Sequence, residues 1–215
     1  CDVERVVNAL MADMPFEPYW YDKTEGYLCG PDSGYATDGE SLYFDSEDPC
    51  LVLSFYVSPD YSADGSRDTF EVDTAKTTAA AALVNNVADI INAHSSDSDL
   101  DKLYAYKDAV CDATDYNDDA AAETWTKGYG DPWQLIYVFD GDSLTNVVCE
   151  GYAKAFQFLC DGTSFNNTGI EAYSVTGDMD GGTGAGAHMW NILHMDDGRN
   201  YIADITNSDE GTVGE

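Results

Sequence analysis

The feature that most constrains this chain is a change of hydrophobic period between residues 146 and 205. From residue 146 to 160, apolar side chains recur at the spacing of one helix face, at positions 148, 152, 155, 156 and 159. Residues 188–194 and 200–205 are instead rich in β-forming side chains, and the turn signal Asp196-Asp197-Gly198 separates them. The pattern predicts a helix followed by a β-hairpin.

A cysteine, Cys149, stands near the start of the predicted helix. We expect Thr145 or Asn146 to be the N-cap residue. Backbone N–H groups and the positive end of the helix dipole would then favour the thiolate of Cys149, and the same N–H groups can hold the oxyanion of a tetrahedral intermediate. The adjacent Glu150 opposes the thiolate because the two charges have the same sign. This position suits a nucleophilic thiol.

The predicted hairpin carries His188 on its first strand and Asp204 on its second. The two side chains face the same side only if the residue numbers of each cross-strand pair have an even sum, which a loop of three or five residues gives. One imidazole nitrogen of His188 then reaches Asp204, and the other faces Cys149 as a general base. His194 lies on the same face of the predicted strand as His188, because the two are an even number of residues apart. It is the rival candidate for the base, although it lies six residues nearer the turn.

Glycine is concentrated just before the histidine strand. Five of the ten residues from Gly177 to Gly186 are glycine. Because glycine leaves the backbone conformationally free, we expect this segment to be a mobile loop that covers a substrate.

Three motifs resemble those of bacterial transglutaminase-like proteins. They are Val-Cys-Glu-Gly-Tyr-Ala-Lys-Ala-Phe, His-Met-Trp-Asn, and Asp-Gly followed after three residues by Ile-Ala-Asp-Ile-Thr. The family's catalytic cysteine, histidine and aspartate fall on Cys149, His188 and Asp204. The helix predicted over residues 100–111, followed by Asp-Tyr-Asn, resembles an element that precedes the cysteine in the family. Within it, Tyr116 is either a second oxyanion donor or a tyrosine packed at a helix end.

The resemblance implies an α+β fold with a transglutaminase-like and papain-like core, in which the cysteine helix packs on an antiparallel sheet that carries the histidine and aspartate. It implies a cysteine-dependent acyl-transfer enzyme that acts on protein or peptide amide groups through a Cys149 thioester, by transamidation or hydrolysis. Members of the superfamily that have lost catalysis serve as binding modules, so the alternative is a cell-surface interaction module that retains the three residues.

The charge of the chain limits its partners. Nine basic residues against 41 acidic ones give a formal net charge of -32. Such a chain repels nucleic acid and anionic membrane surfaces, so we expect a protein or peptide substrate, no nucleic acid and no membrane insertion. The acidic surface is either a solvated coat or a match for cationic substrates such as lysine-rich peptides. No calcium-loop pattern and no Cys-x-x-Cys spacing occur, and we expect neither a metal nor a cofactor.

The cysteines and the apolar runs bear on the compartment. The six cysteines lie at positions 1, 29, 50, 111, 149 and 160. If Cys149 is a free nucleophile, at least one other is unpaired, and Cys29 with Cys50 is the first candidate disulfide in an exported protein. The chain starts at Cys1 and has no run of 18 apolar residues. We expect a secreted or cell-surface protein whose leader has been removed.

The remaining pattern divides the chain into two parts. Residues 1–14 look helical, and short β-like runs at 26–28, 41–44 and 51–57 alternate with Gly, Pro and Asp turns. We expect residues 1–72 to form an N-terminal extension packed on a catalytic core of residues 73–215. Two further helices are expected within that core, over residues 75–93 and 100–114.

Overall fold

The computed structural model describes residues 2–31, 51–122, 124, 132–142, 144–180 and 186–209. These residues form a mixed α and β structure with seven helices and five strands. In chain order they are α1 Val3–Asp13, β1 Tyr27–Pro31, β2 Leu51–Phe55, α2 Thr78–Ala93, α3 Asp99–Ala113, α4 Asp118–Ala121, α5 Ile136–Phe139, α6 Cys149–Asp161, β3 Glu171–Met179, β4 Gly186–His194, β5 Asn200–Ala203 and α7 Ile205–Asp209.

The chain divides into two compact units. The first comprises Cys1–Val7 and Trp20–Lys76, and the second comprises Asn8–Tyr19 and Thr77–Glu215. The helix predicted over residues 1–14 is present as α1.

The first unit is built on the antiparallel hairpin β1–β2, in which Tyr27 pairs with Phe55. Phe55 also meets the ring of Tyr21 edge-on, with the centroids 5.2 Å apart. Tyr21 is buried and bridges to the buried Val57, so aromatic and β-branched side chains close this small core. The β-like run expected at residues 41–44 lies outside the described residues.

Helices form most of the second unit's core. Helix α2 buries Ala80, Leu83 and Val87 along one face. Helix α3 begins after Ser98, whose hydroxyl accepts a hydrogen bond from the Asp101 N–H at 3.2 Å. Helix α6 is buried almost all round because it packs against α3, α5 and α7 and against strands β3 and β4.

Strands β3, β4 and β5 form an antiparallel sheet in that order. The β4–β5 pairs run from Asn191 with Ala203 to His194 with Asn200, and all have an even sum, as predicted. The loop between them has five residues, 195–199. It closes with a hydrogen bond of 2.9 Å from the Met195 N–H to the Arg199 carbonyl, and Gly198 adopts φ 74° in the turn.

The glycine-rich segment is shorter as a loop than expected. Strand β3 continues to Met179 and β4 starts at Gly186, so Gly177 lies inside a strand. A Cβ on Gly177 would stand 2.6 Å from Cη2 of Trp190, so this glycine makes room for the indole ring. The rest of the predicted loop, residues 181–185, lies outside the described residues.

The cysteines and the helices also bear on the earlier expectations. Cys29, one of the two residues of the suggested disulfide, is a free thiol. Cys1 and Cys50 themselves lie outside the described residues. Within the described part of the chain, each helix is too short or too polar to cross a bilayer.

Candidate active site

Cys149 is the first residue of α6, but the expected cap is wrong. The N-cap position belongs to Val148, which has φ -94° and ψ 178° and provides no side-chain cap. The Thr145 hydroxyl instead donates to the Asp140 carboxylate at 2.9 Å, and the Asn146 carbonyl accepts from Asn117 Nδ2 at 3.2 Å. Because these groups hold the preceding loop, no N-cap side chain covers the first-turn N–H groups beside the sulfur.

The segment before α6 is held close to the helix. A Cβ on Gly151 would stand 2.5 Å from Cβ of Val147, so only glycine fits this approach without a shift. Val147 in turn forms a parallel bridge with Tyr116, and its carbonyl accepts from the Asn117 N–H at 3.0 Å. This bridge brings Tyr116 to the start of α6, next to Cys149.

The Tyr116 hydroxyl lies next to the backbone of Cys149. The Cys149 N–H donates a hydrogen bond to it. Burial, together with the nearby charges of Cys149 and Asp118, raises the pKa of Tyr116 to about 12. The hydroxyl therefore keeps its proton at neutral pH and remains a hydrogen-bond donor.

The charge of Glu150 is compensated within the same helix turn. Its carboxylate lies 2.7 Å from Lys154 Nζ, and both side chains are buried. The pair has the i, i+4 spacing of a helical salt bridge. The opposition to a thiolate expected from Glu150 is therefore reduced, because the nearest cation neutralises it.

His188 lies between the sulfur and a carboxylate. Its Nε2 is 2.9 Å from Asp204 Oδ2, and its ring is also hydrogen-bonded to Cys149. The hydrogen bond to Asp204, followed by that to Cys149, raises the pKa of His188 to about 9 although burial works the other way. The Trp190 ring stacks beside the imidazole, with centroids 5.9 Å apart. At neutral pH the imidazole is therefore a cation.

Asp204 is fixed by a residue that the sequence analysis did not identify. Asn207 Nδ2 donates to Asp204 Oδ2 at 2.6 Å, and the Asn207 backbone N–H donates to Oδ1 at 3.2 Å. Burial alone would raise the pKa of Asp204, but its hydrogen bonds to His188 and Asn207 lower it. The carboxylate thus stays ionised, and Asn207 also reaches Met179 Sδ at 3.4 Å.

A local signal for Asn207 was present in the sequence. Asp204 directly precedes the short helix α7, and its carboxylate accepts the N–H three residues ahead, as an N-cap aspartate does. The spacing Asp-x-x-Asn after a strand therefore predicts Asp204 as an N-cap residue and Asn207 as its hydrogen-bond partner.

The other two histidines lie away from the sulfur. His194 Nδ1 is 2.8 Å from the Asn200 side-chain oxygen on the exposed end of the hairpin. His94 ends α2, and its Nδ1 is 2.8 Å from Asp97. Of the three histidines in the chain, the structure brings His188 to Cys149.

Residues suited to a metal do not gather in the described part of the chain. Groups of three or more His, Cys, Asp and Glu side chains with ligand geometry are absent there. The arrangement brings together a thiol, an imidazole, a carboxylate and a tyrosine hydroxyl.

Comparison with known proteins gives a distant likeness to a solved structure. No family model matches the chain, and no curated protein matches it. A solved structure named "Crystal structure of a TGase" is 20% identical, with a TM-score of 0.47, and the match covers 69% of this chain and 37% of that one. The matched region thus spans well under half of that TGase. The similarity is distant and concerns the fold.

Proposed function

We propose that this chain is a cysteine-dependent, transglutaminase-like acyl-transfer enzyme that acts on protein or peptide amide groups. The observation that carries the proposal is the continuous hydrogen-bonded series from Cys149 through His188 to Asp204. Asn207 holds the far end of this series, and Trp190 stacks on its centre. A thiol, an imidazole and an orienting carboxylate in this order are the parts of a nucleophilic acyl transfer.

In the first step the Cys149 sulfur attacks the carbonyl carbon of a glutamine side chain or a peptide bond. A C–S bond forms, and the carbonyl π electrons move to the oxygen. When the intermediate collapses, the C–N bond breaks and the His188 imidazolium gives its proton to the departing nitrogen. The product is a Cys149 thioester with ammonia or an amine released.

The oxyanion is stabilised at the start of α6. The Tyr116 hydroxyl lies there beside the Cys149 N–H, and the hydroxyl can donate to an oxygen next to the sulfur. Because the N–H donates to the hydroxyl oxygen, it orients the hydroxyl and leaves its proton for the substrate.

In the second step an amine or a water attacks the thioester, and neutral His188 accepts the nucleophile's proton. The C–S bond breaks, and the thiolate–imidazolium pair is restored. An amine gives transamidation and water gives hydrolysis. We place the protein outside the cell or at its surface, where protein substrates are accessible, with no cofactor.

The proposal is tested by incubating the protein with a glutamine-donor protein mixture and a labelled primary amine, with mass spectrometry of the products. Amine adducts identify a transferase, and deamidation or new termini identify a hydrolase. Both are expected to vanish in Cys149→Ala and His188→Ala. His194→Ala is the matched control, because it removes a histidine from the same strand without touching the sulfur.

The contrary result is equally clear. If Cys149 does not react with iodoacetamide and no product forms, the chain is a binding module that retains the three residues. If His194→Ala abolishes the reaction and His188→Ala does not, the assignment of the base is wrong.

A further inference from the structure

An apolar groove of about 1060 Å³ lies between helix α3 and strand β5, within the second unit. Its walls are unusually exposed for their residue types: on α3 Tyr104 is 60% and Leu100 55% exposed, and on β5 Ile202 is 74% and Tyr201 44% exposed. Its floor is closed by buried side chains, namely Phe156, Ile170 and Leu193. Contiguous apolar surface of this kind on a soluble unit marks an interaction site.

The outer edge of β5 also presents backbone N–H and C=O groups that can pair with another strand. Among the described residues, β5 is an edge strand of the sheet. Since the Met195 N–H bonds to the Arg199 carbonyl, the alternation of the antiparallel ladder turns Tyr201 and Ala203 towards β4. The N–H and C=O groups of Asn200 and Ile202 therefore point outward, and such an edge can accept another strand.

The charges along this edge define what fits. The groove is lined by four aspartates and one lysine, so its net charge is negative; these are Asp99, Asp196, Asp197, Asp204 and Lys107. Asp99 is buried, and its carboxylate accepts hydrogen bonds from the backbone N–H groups of residues 166 and 167. Asp196 is instead exposed at the hairpin turn and has no hydrogen bond or ion pair within the described part of the chain. An added strand is attracted most strongly if it carries cationic side chains at the end near Asp196.

We propose that the β5 edge and the α3 groove bind an extended segment of a partner protein in which apolar residues alternate with lysine or arginine. The backbone of the segment pairs with Asn200 and Ile202. Alternate apolar side chains enter the groove beside Leu100 and Tyr104, and a cationic side chain approaches Asp196. Asp204 and Asn207 also line this groove, but the proposal does not depend on the proposed catalysis.

A second copy of this chain is the poorer occupant. Each copy carries a formal net charge of -32. Antiparallel pairing of two β5 edges would bring the Asp196 and Asp197 end of one copy against the Asp204 end of the other, so that acidic groups meet at both ends.

The test uses a fluorescent peptide of alternating valine and lysine, about eight residues long, and measures its binding by anisotropy. The whole chain is used, as wild type and as Ile202→Glu, with Leu144→Glu as the matched control. Leu144 is similarly exposed, at 66%, and does not line the groove, so both variants add the same charge to an exposed apolar site.

The peptide should bind the wild type and Leu144→Glu alike and bind Ile202→Glu at least about tenfold more weakly. Non-specific attraction to an acidic protein would leave Ile202→Glu unchanged or make it bind more tightly, which would overturn the proposal. A peptide of alternating valine and glutamate should not bind, and an equal affinity for it would also overturn the proposal.

Amide hydrogen exchange gives an independent readout. The amides of Asn200 and Ile202 should become protected on binding, whereas those of Tyr201 and Ala203 should change little because β4 already holds them. If sedimentation shows that the chain alone dimerises and that Ile202→Glu makes it monomeric, the edge belongs to a second copy and the proposal is wrong.

Discussion

Replacing Asp204 with asparagine removes the largest cause of the raised pKa of His188 while preserving the shape of the side chain. In the native protein that pKa is raised from 6.5 to about 9, first by the hydrogen bond to Asp204. In Asp204→Asn the hydrogen bond to Cys149 remains and burial opposes the charge. We therefore expect the pKa of His188 to fall by roughly 2 units, towards its ordinary value.

The same change has a consequence for stability, with a definite sign. Because folding raises the pKa of His188, its contribution to the free energy of unfolding is fully present below pH 6.5 and is lost as the pH rises to about 9. A rise of this size corresponds to about 3 kcal/mol. The native protein should lose about that much stability between these two pH values through His188, and Asp204→Asn should lose much less.

The measurement is an NMR titration of protein with labelled imidazole carbons. The chain has three histidines, so single substitutions of His94 and His194 assign the signals. Urea unfolding at several pH values gives the stability, with His188→Gln as the reference that lacks the titrating ring. A His188 signal that titrates near 6.5 in the native protein, or one that stays near 9 in Asp204→Asn, would refute the reasoning.

Three further predictions concern the groups around this series. Asn207→Ala removes the side-chain hydrogen bond to Asp204 Oδ2, while the backbone N–H of residue 207 still donates to Oδ1, and it should slow both acyl transfer and iodoacetamide alkylation about tenfold; unchanged rates would show that Asp204 holds its place without the Asn207 side chain. Tyr116→Phe should lower kcat about a hundredfold but leave alkylation unaffected, because alkylation forms no oxyanion; equal loss in both assays would assign Tyr116 a structural role. Gly151→Ala should destabilise the fold by about 1–3 kcal/mol in urea unfolding because of the contact with Val147, and Val147→Ala should restore part of that loss.

The helices and the hairpin were predictable because their signals are local. The patterns over residues 75–93 and 100–114 predicted α2 and α3, and the structure shifts the ends of these helices by a few residues only. The register of the β4–β5 hairpin, in which the numbers of paired residues have an even sum, was predicted from the requirement that His188 and Asp204 lie on one face. The five-residue loop satisfies that requirement.

The errors fall where distant segments decide the local structure. Thr145 and Asn146 have the side chains of N-cap residues. However, the Thr145 hydroxyl donates to the Asp140 carboxylate, and the Asn146 backbone carbonyl accepts from the Asn117 side chain. Strand β3 was not predicted because its glycine suggested a loop. That glycine is required by Trp190, which lies 13 residues later in the sequence, on the next strand, and contacts it only across the sheet.

The sequence by itself determined the helix and the β-hairpin that carry the candidate residues, because helical and β periods repeat over a few residues. It placed Cys149 at a helix start and put His188 and Asp204 on one face of a hairpin. Only the tertiary structure decided that the imidazole meets the sulfur, that Tyr116 joins them and that Asn207 holds the carboxylate. These contacts join segments far apart in the chain, and their geometry depends on how α6 packs against the sheet, which no local pattern encodes.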